Sequence, residues 1–152
     1  MGNCWFQVRI ICDKVSENGQ KKKEKELYLV DALSFTEAEK RIVDEVAPFV
    51  SGEFKVTAMK LENIQEIFNT DIEDGKWYKA TINLITLDER THKEKKTPRN
   101  ILVYESSTDA ALKRLHAGMK GTLMDYQVKQ VLETSYLDVY FYDLEHQTDE
   151  NR

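Results

Sequence analysis

Apolar and polar residues alternate near the start of the chain, and this pattern predicts a β-strand with one buried face. Asn18-Gly19 then marks a hairpin turn, although the polar residues around it predict a loop longer than the tightest type. A second strand is predicted over residues 27–32, so the chain begins with a β-hairpin. The apolar positions of the first strand are Phe6, Val8, Ile10 and Cys12.

A helix is predicted after this hairpin. Ser34 and Glu37 have the spacing of a capping box, in which the serine accepts a hydrogen bond from a free backbone amide and the glutamate reaches back. Apolar residues then recur at every fourth position until Pro48, which cannot continue a helix. Two further strands are predicted over residues 53–60 and 64–69. The apolar helix positions are Ala38, Ile42 and Val46.

The same order of elements occurs a second time. Trp5-Phe6 aligns with Trp77-Tyr78 at an offset of 72 positions, and Ser34 aligns with Ser107 once the second copy is allowed one extra residue. The apolar face of the second helix is predicted to be Ala111, Leu115 and Met119. The second copy predicts strands over residues 77–87, 100–104, 126–132 and 136–142 and a helix over 108–120.

The sequence therefore predicts an α+β fold formed by internal duplication of a ββαββ unit, with antiparallel sheets, one helix per repeat and a pseudo-twofold relation between the repeats. We expect each repeat to form a four-stranded antiparallel sheet of its own. The predicted boundaries are 4–70 for the first repeat, 71–75 for an acidic linker, 76–142 for the second repeat and 143–152 for a charged C-terminal tail.

The overall charge is negative, but the cations are unevenly distributed. Twenty-two Lys and Arg against 27 Asp and Glu give a net charge of −5, which argues against a protein covered in positive charge. Two basic clusters lie at equivalent places in the repeats, and we expect both in the loop that joins strands one and two. The first cluster is Lys21, Lys22, Lys23 and Lys25, and the second includes Lys93, Lys95, Lys96 and Arg99.

Two tryptophans begin the first strand of each repeat. Strand alternation places Trp5 and Arg9, and likewise Trp77 and Lys79, on the face opposite the predicted core. Single-stranded nucleic acid is often bound by an aromatic ring that stacks on a base beside a cation that neutralises phosphate. Alternatively, each indole caps the core at the start of its strand and is covered by the other repeat.

Catalytic chemistry is not indicated. Gly118-Met119-Lys120-Gly121 lacks the spacing of a phosphate-binding loop, and the histidines lack metal-ligand spacing, so we expect no enzyme activity, cofactor or metal site. The two cysteines cannot form a disulfide framework, and no apolar run reaches the length of a membrane span. These features predict a cytoplasmic protein that does not enter the membrane.

Four segments resemble a domain-of-unknown-function family of gut anaerobic bacteria and their tailed phages. They are YLVDALSFTEAEKRI (28–42), VSGEFKVTAMK (50–60), KWYKATINLITLDE (76–89) and GMKGTLMDY (118–126). The resemblance covers about residues 4–142 and implies a small cytosolic, phage-linked protein, with no catalytic residues to carry over. The predicted order of elements is also similar, by circular permutation, to the duplicated plan of Whirly-like and PUR-like single-stranded nucleic-acid binders.

The leading hypothesis is a non-enzymatic nucleic-acid-binding accessory protein that prefers single-stranded DNA or RNA. Its candidate contacts are the two tryptophans, Arg9, Lys79 and the two basic clusters. The alternatives are a protein-interaction or host-modulating module, which pairs with itself or with another protein, and a protein that binds a small ligand or nucleotide between the repeats.

Overall fold

A computed structural model describes residues 4–50 and 52–142 and shows an α+β fold with two four-stranded sheets. In each half of the chain an α-helix lies between two pairs of strands, as the duplicated ββαββ unit predicts. The predicted tail, 143–152, lies outside the described residues. The first half contains β1 Cys4–Val15, β2 Lys21–Ala32, α1 Phe35–Val46, a 3₁₀ turn Ala47–Phe49, β3 Phe54–Glu62 and β4 Glu66–Phe68. The second half contains β5 Lys76–Leu87, β6 Glu94–Glu105, α2 Thr108–Met119, β7 Asp125–Glu133 and β8 Tyr136–Tyr140.

The fourth strand of each sheet comes from the other repeat. The strand orders are β3-β1-β2-β8 and β4-β6-β5-β7. The two exchanged strands, β8 and β4, pair in parallel with β2 and β6, whereas the remaining pairs are antiparallel. The expectation that each repeat supplies its own four strands is therefore wrong at the last strand. Alternation specifies which face of a strand is buried, but not which strand lies beside it.

Because of this exchange, the two compact units differ from the two sequence repeats. Of the described residues, unit 1 contains 4–50, 52–63 and 135–142, and unit 2 contains Ile64–Thr134. In unit 2, Gln65 holds the start of β4 against β6: its backbone N–H donates to the Asn100 carbonyl at 2.9 Å, and its side-chain oxygen accepts from the Asn100 N–H at 2.5 Å. These bonds direct the chain to β6 immediately after β3.

Local details of the fold are repeated as well. Both first strands have a bulge against the third strand, between Arg9 and Ile10 in unit 1 and between Thr81 and Ile82 in unit 2. Ser34 accepts a hydrogen bond from the Glu37 N–H, and Ser107 accepts one from the Ala110 N–H. The Glu37 carboxylate accepts from the Leu33 N–H, one residue before the position that a capping box predicts.

Each helix packs on one face of its sheet. The buried positions of α1 are Ala38, Ile42 and Val46, and those of α2 are Ala111, Leu115 and Met119, as predicted. In unit 1 these residues contact the alternating apolar side chains of β1.

The face opposite each helix is also buried over part of its length. Leu29 on β2 and Leu102 on β6 are both 0% exposed, although their neighbours Tyr28 and Ile101 point toward the helices. The distal part of β2, by contrast, is exposed at Lys21–Lys23 and Lys25. The accessible part of this face in unit 1 is therefore the far end of the β1–β2 hairpin.

A buried carboxylate links the end of the described chain to β2 and α1. Asp31, 2% exposed, accepts hydrogen bonds from the backbone N–H of Tyr142 at 3.0 and 2.9 Å and from the Arg41 guanidinium at 3.3 Å. Arg41 also stacks on the Tyr142 ring, 4.4 Å from its centroid, and the Tyr142 hydroxyl donates to Glu45. In unit 2, the corresponding arginine, Arg114, instead pairs with Glu105 at 3.2 Å.

Candidate nucleic-acid interface

The basic clusters lie mainly on strands. Lys21–Lys25 belong to β2, where they pair with the end of β1, and residues 94–99 belong to β6. Of the predicted residues only Lys93 is in the turn of the second hairpin. The prediction that both clusters occupy loops is therefore wrong. Polar strand ends of a two-stranded ribbon have no core to face, so they carry no apolar alternation from which a strand could be predicted.

The strand positions divide the first cluster between two faces. Lys21, Lys23 and Lys25 lie on the face opposite α1, as does Arg9 on β1, whereas Lys22 lies on the other face. We call Arg9, Lys21, Lys23 and Lys25 the cationic face. All four side chains are exposed, and within the described part of the chain none forms an ion pair within 4.0 Å.

The second hairpin does not repeat this arrangement. Lys95 and Arg99 lie on the helix side of the sheet, while Lys96 lies on the opposite side. The positions that correspond to Lys21 and Lys25 are Glu94 and Pro98. The two clusters are thus equivalent in sequence position but lie on different faces, and of the two described hairpins only the first carries a continuous row of cations.

The two tryptophans differ in exposure. Trp77 is 6% exposed and lies against Tyr104, with ring centroids 5.0 Å apart, so its indole is not accessible to a nucleic-acid base. Trp5 is half-buried and forms a T-shaped contact with Phe141, with ring centroids 5.3 Å apart. The prediction of an exposed indole is therefore wrong for Trp77. Lys79, beside Trp77, is also half-buried.

On the helix side of the first hairpin, charges are paired and partly buried. Glu26 is 8% exposed, and its carboxylate lies 2.8 Å from the Lys14 ammonium and accepts a hydrogen bond from the Tyr28 hydroxyl at 3.1 Å. The Cys12 thiol donates to the same carboxylate at 3.5 Å. Lys14 is also 3.4 Å from Glu24. The sequence does not predict this cluster, because the predicted second strand begins at residue 27, although Glu26 continues the inward alternation of Tyr28 and Val30.

This cluster changes the protonation of its members. Burial by itself raises the pKa of Glu26, but the hydrogen bonds from Lys14 and Tyr28 outweigh it, and the pKa is lowered. The pKa of Lys14 is raised, mainly by its hydrogen bond to Glu26. Burial and the Glu26 charge raise the pKa of the Cys12 thiol, which disfavours a nucleophilic thiolate at this position.

Replacing Lys14 with alanine should destabilise the protein in a pH-dependent way. A lowered carboxylate pKa stabilises the fold above its unfolded value, and this contribution is lost as pH falls through the folded value. We expect Lys14→Ala to lower the free energy of unfolding by about 1 kcal/mol near neutral pH and by much less at an acidic pH below the lowered pKa of Glu26, because Lys14 is half-exposed and a protonated Glu26 no longer attracts its ammonium group. Urea unfolding at both pH values measures this, with Lys22→Ala, the register partner of Lys14, as the control. An equal loss at both pH values would contradict the prediction.

Comparison with known proteins identifies the family of this chain. Residues 4–142 match a family described as a domain of unknown function, DUF4494. The chain belongs to the DUF4494 family. The match spans both sheets, including the exchanged strands β4 and β8, so the DUF4494 domain comprises both repeats. No curated protein matches the chain.

The described residues of the DUF4494 domain include neither a metal-binding cluster nor a membrane-spanning helix. Within residues 4–50 and 52–142, no group of three or more His, Cys, Asp or Glu side chains is arranged to hold a metal ion. His116 contacts the Tyr126 hydroxyl at 2.6 Å, and His92 lies in the β5–β6 turn. No described helix has the length and apolar character needed to cross a bilayer.

Proposed function

We propose that this protein is a non-enzymatic nucleic-acid-binding accessory protein whose cationic face contacts the phosphate backbone. The supporting observation is that Arg9, Lys21, Lys23 and Lys25 are exposed on one face and form no ion pair, whereas Lys14, on the other face, is neutralised by glutamates. Asp13 lies on the same face, as the register partner of Lys23. The resemblance of its motifs supports a cytoplasmic setting in a bacterium or a phage-infected cell.

The geometry of the cationic face suits a flexible polyanion. Alternate residues of a strand are separated by about 6.6 Å, so Lys21, Lys23 and Lys25 form an evenly spaced row. Such a row can neutralise successive phosphates of a single strand without a deep groove. Trp5 lies on the same face of β1 and remains partly exposed, and Trp77 is excluded from the proposed contacts because it is buried. We therefore propose single strands as the preferred class, bound mainly through phosphate.

The salt dependence of binding tests this proposal. Four phosphate contacts to a single strand give a slope of about −3 for log K against log salt, or about a 50-fold loss of affinity between ~50 and ~200 mM salt. Replacing Lys23 and Lys25 with glutamine should weaken binding at low salt and make the slope less steep by about 1.4. Fluorescence anisotropy with a labelled oligothymidylate measures both quantities, and a duplex of equal length tests the strand preference.

The second hairpin provides a matched control. Lys95→Gln/Lys96→Gln removes the same number of charges from β6, but from two different faces. We expect this variant to keep a salt slope close to that of the wild type. Equal effects of the two double variants, or wild-type binding that does not change with salt, would contradict the assignment to the cationic face.

A further inference from the structure

The outer edge of β2 is open over its first half. β1 pairs with β2 along its whole length, but on the other side β8 pairs only with Leu27–Val30. Among residues 4–50 and 52–142, residues 21–26 therefore have a strand neighbour on one side only. Open strand edges present unpaired N–H and C=O groups, to which another extended segment can add.

The second repeat shows which backbone groups point to this edge. Pro98 of β6 corresponds to Lys25, and its register partner Asn83 corresponds to Ile11. Proline has no N–H to donate to β5. The backbone nitrogen at this register position therefore points away from the first strand of the hairpin. The next alternate residue, Asn100, confirms this direction, because its N–H and C=O both bond to Gln65 at the start of β4. By the same register, the backbone groups of Lys25, Lys23 and Lys21 point to the open edge of β2.

Of the residues whose backbone groups point outward, the two edges differ in their hydrogen-bond donors at Lys25 and Pro98. In unit 2 Pro98 removes the hydrogen-bond donor and blocks strand addition at that position. In unit 1 Lys25 keeps the donor and adds a positive charge. Lysines on an edge also repel a second copy of the same edge. The lysines of β2 therefore favour a partner of opposite charge over pairing between two copies of this protein.

A cavity lies where β8 begins and the open edge starts. It has a volume of about 540 Å³, and Leu27, Leu137 and Ser135 form part of its lining. Arg9 and Lys25 contribute unpaired cations, whereas the cavity's glutamates, Glu24 and Glu26, are already paired with Lys14. Apolar and cationic groups beside an open edge suit an extended segment in which acidic and apolar side chains alternate.

We infer that the edge formed by Lys21–Glu26 binds an extended acidic segment of a partner protein as an added β-strand. This inference is independent of the proposed function, because it depends on backbone hydrogen bonds at the strand edge, whereas nucleic-acid binding depends on side-chain charge. The two activities share Lys21, Lys23 and Lys25, so we expect a bound acidic segment to compete with an oligonucleotide.

Two substitutions at Lys25 distinguish the contribution of its backbone N–H to peptide binding from that of its side-chain charge. Lys25→Pro copies the residue at the equivalent position of unit 2 and removes the edge N–H, while Lys25→Gln removes the charge and keeps the N–H. The probe is a labelled peptide of alternating Glu and Val. We expect Lys25→Pro to weaken peptide binding about tenfold or more and Lys25→Gln by less than about threefold. Both variants should bind oligothymidylate equally well, because both lack the same charge.

Equal loss of peptide binding in the two variants would overturn strand addition, as would the absence of peptide binding to the wild type. Residue-resolved amide exchange of the wild type gives a test that does not depend on the folding of Lys25→Pro. The peptide should protect the amides of Lys23 and Lys25, and unchanged exchange of these amides in the presence of bound peptide would also overturn the inference. Dimerisation of the free protein through this edge would assign it to a second copy and overturn the choice of partner.

Discussion

Replacing Asp31 with alanine should lower the free energy of unfolding of unit 1 by about 3 kcal/mol, because the Arg41 guanidinium and the Tyr142 N–H lose a buried acceptor. Arg41 keeps its contact with Glu37 at 3.1 Å, so its charge is not left without a partner. Both carboxylate oxygens of Asp31 accept from the Tyr142 N–H, so loss of the carboxylate should release Tyr142 from β2. Urea unfolding measures the change.

The control for this prediction is Asp44→Ala, which removes an exposed carboxylate from α1. We expect it to change stability by less than about 0.5 kcal/mol. In a double-mutant cycle, Asp31→Ala and Arg41→Ala should show a coupling energy of about 1 kcal/mol or more. A loss below about 1 kcal/mol for Asp31→Ala would show that the carboxylate does not hold the chain end as described.

Ile67→Ala should destabilise unit 2, although Ile67 belongs to the first repeat of the sequence. Ile67 is 7% exposed and pairs with Leu102 of β6, so the truncation should cost about 2–4 kcal/mol. The two tryptophans report on the two units separately, since Trp5 lies in unit 1 and Trp77 in unit 2. Urea unfolding followed by the fluorescence of Trp77 in a Trp5→Phe background measures the effect.

Val139→Ala is the matched variant, because Val139 lies 72 positions after Ile67, is 6% exposed and pairs with Leu29 of β2. Its effect should appear in the fluorescence of Trp5, measured in a Trp77→Phe background. An effect of Ile67→Ala confined to Trp5 would contradict the exchange of strands.

The sequence predicts the elements of this fold well, because their signals are local. Alternation along β1, the serine caps at Ser34 and Ser107 and the four-residue spacing of the helix faces each depend on a few neighbouring residues. Comparison of the two repeats shows the same local signals at equivalent positions in both halves of the chain. The exchange of β4 and β8 could not be predicted in this way, because a short strand has the same alternation whichever sheet it joins.

Gly118 shows how the exchange alters the interpretation of a single residue. The sequence predicts only that this glycine weakens α2. In the structure a Cβ at Gly118 would lie 2.5 Å from the ring of Phe68 on the exchanged strand β4, so the glycine allows close approach of that strand to the helix. A contact between an exchanged strand and a helix far along the sequence is not visible in either repeat alone.

The sequence identifies the residues of the two basic clusters, but it does not predict on which faces of the strands they lie. Counting charges finds both basic clusters, whereas the faces on which their members lie depend on strand register. Register separates Lys23 from Lys22, and it places Pro98 at the position of Lys25. Burial of Trp77 depends on tertiary packing, which alternation alone does not specify.

Amide hydrogen exchange tests the arrangement of strands around β2 most directly. We predict strong protection of the Leu29 amide beside β8, together with fast exchange of the Lys23 and Lys25 amides at the open edge. Val139→Ala should reduce protection at Leu29 and leave Leu102 of β6 unchanged. Protection of Lys23 and Lys25 equal to that of Leu29 in the free protein, or loss of protection in β6 instead of β2, would contradict the account.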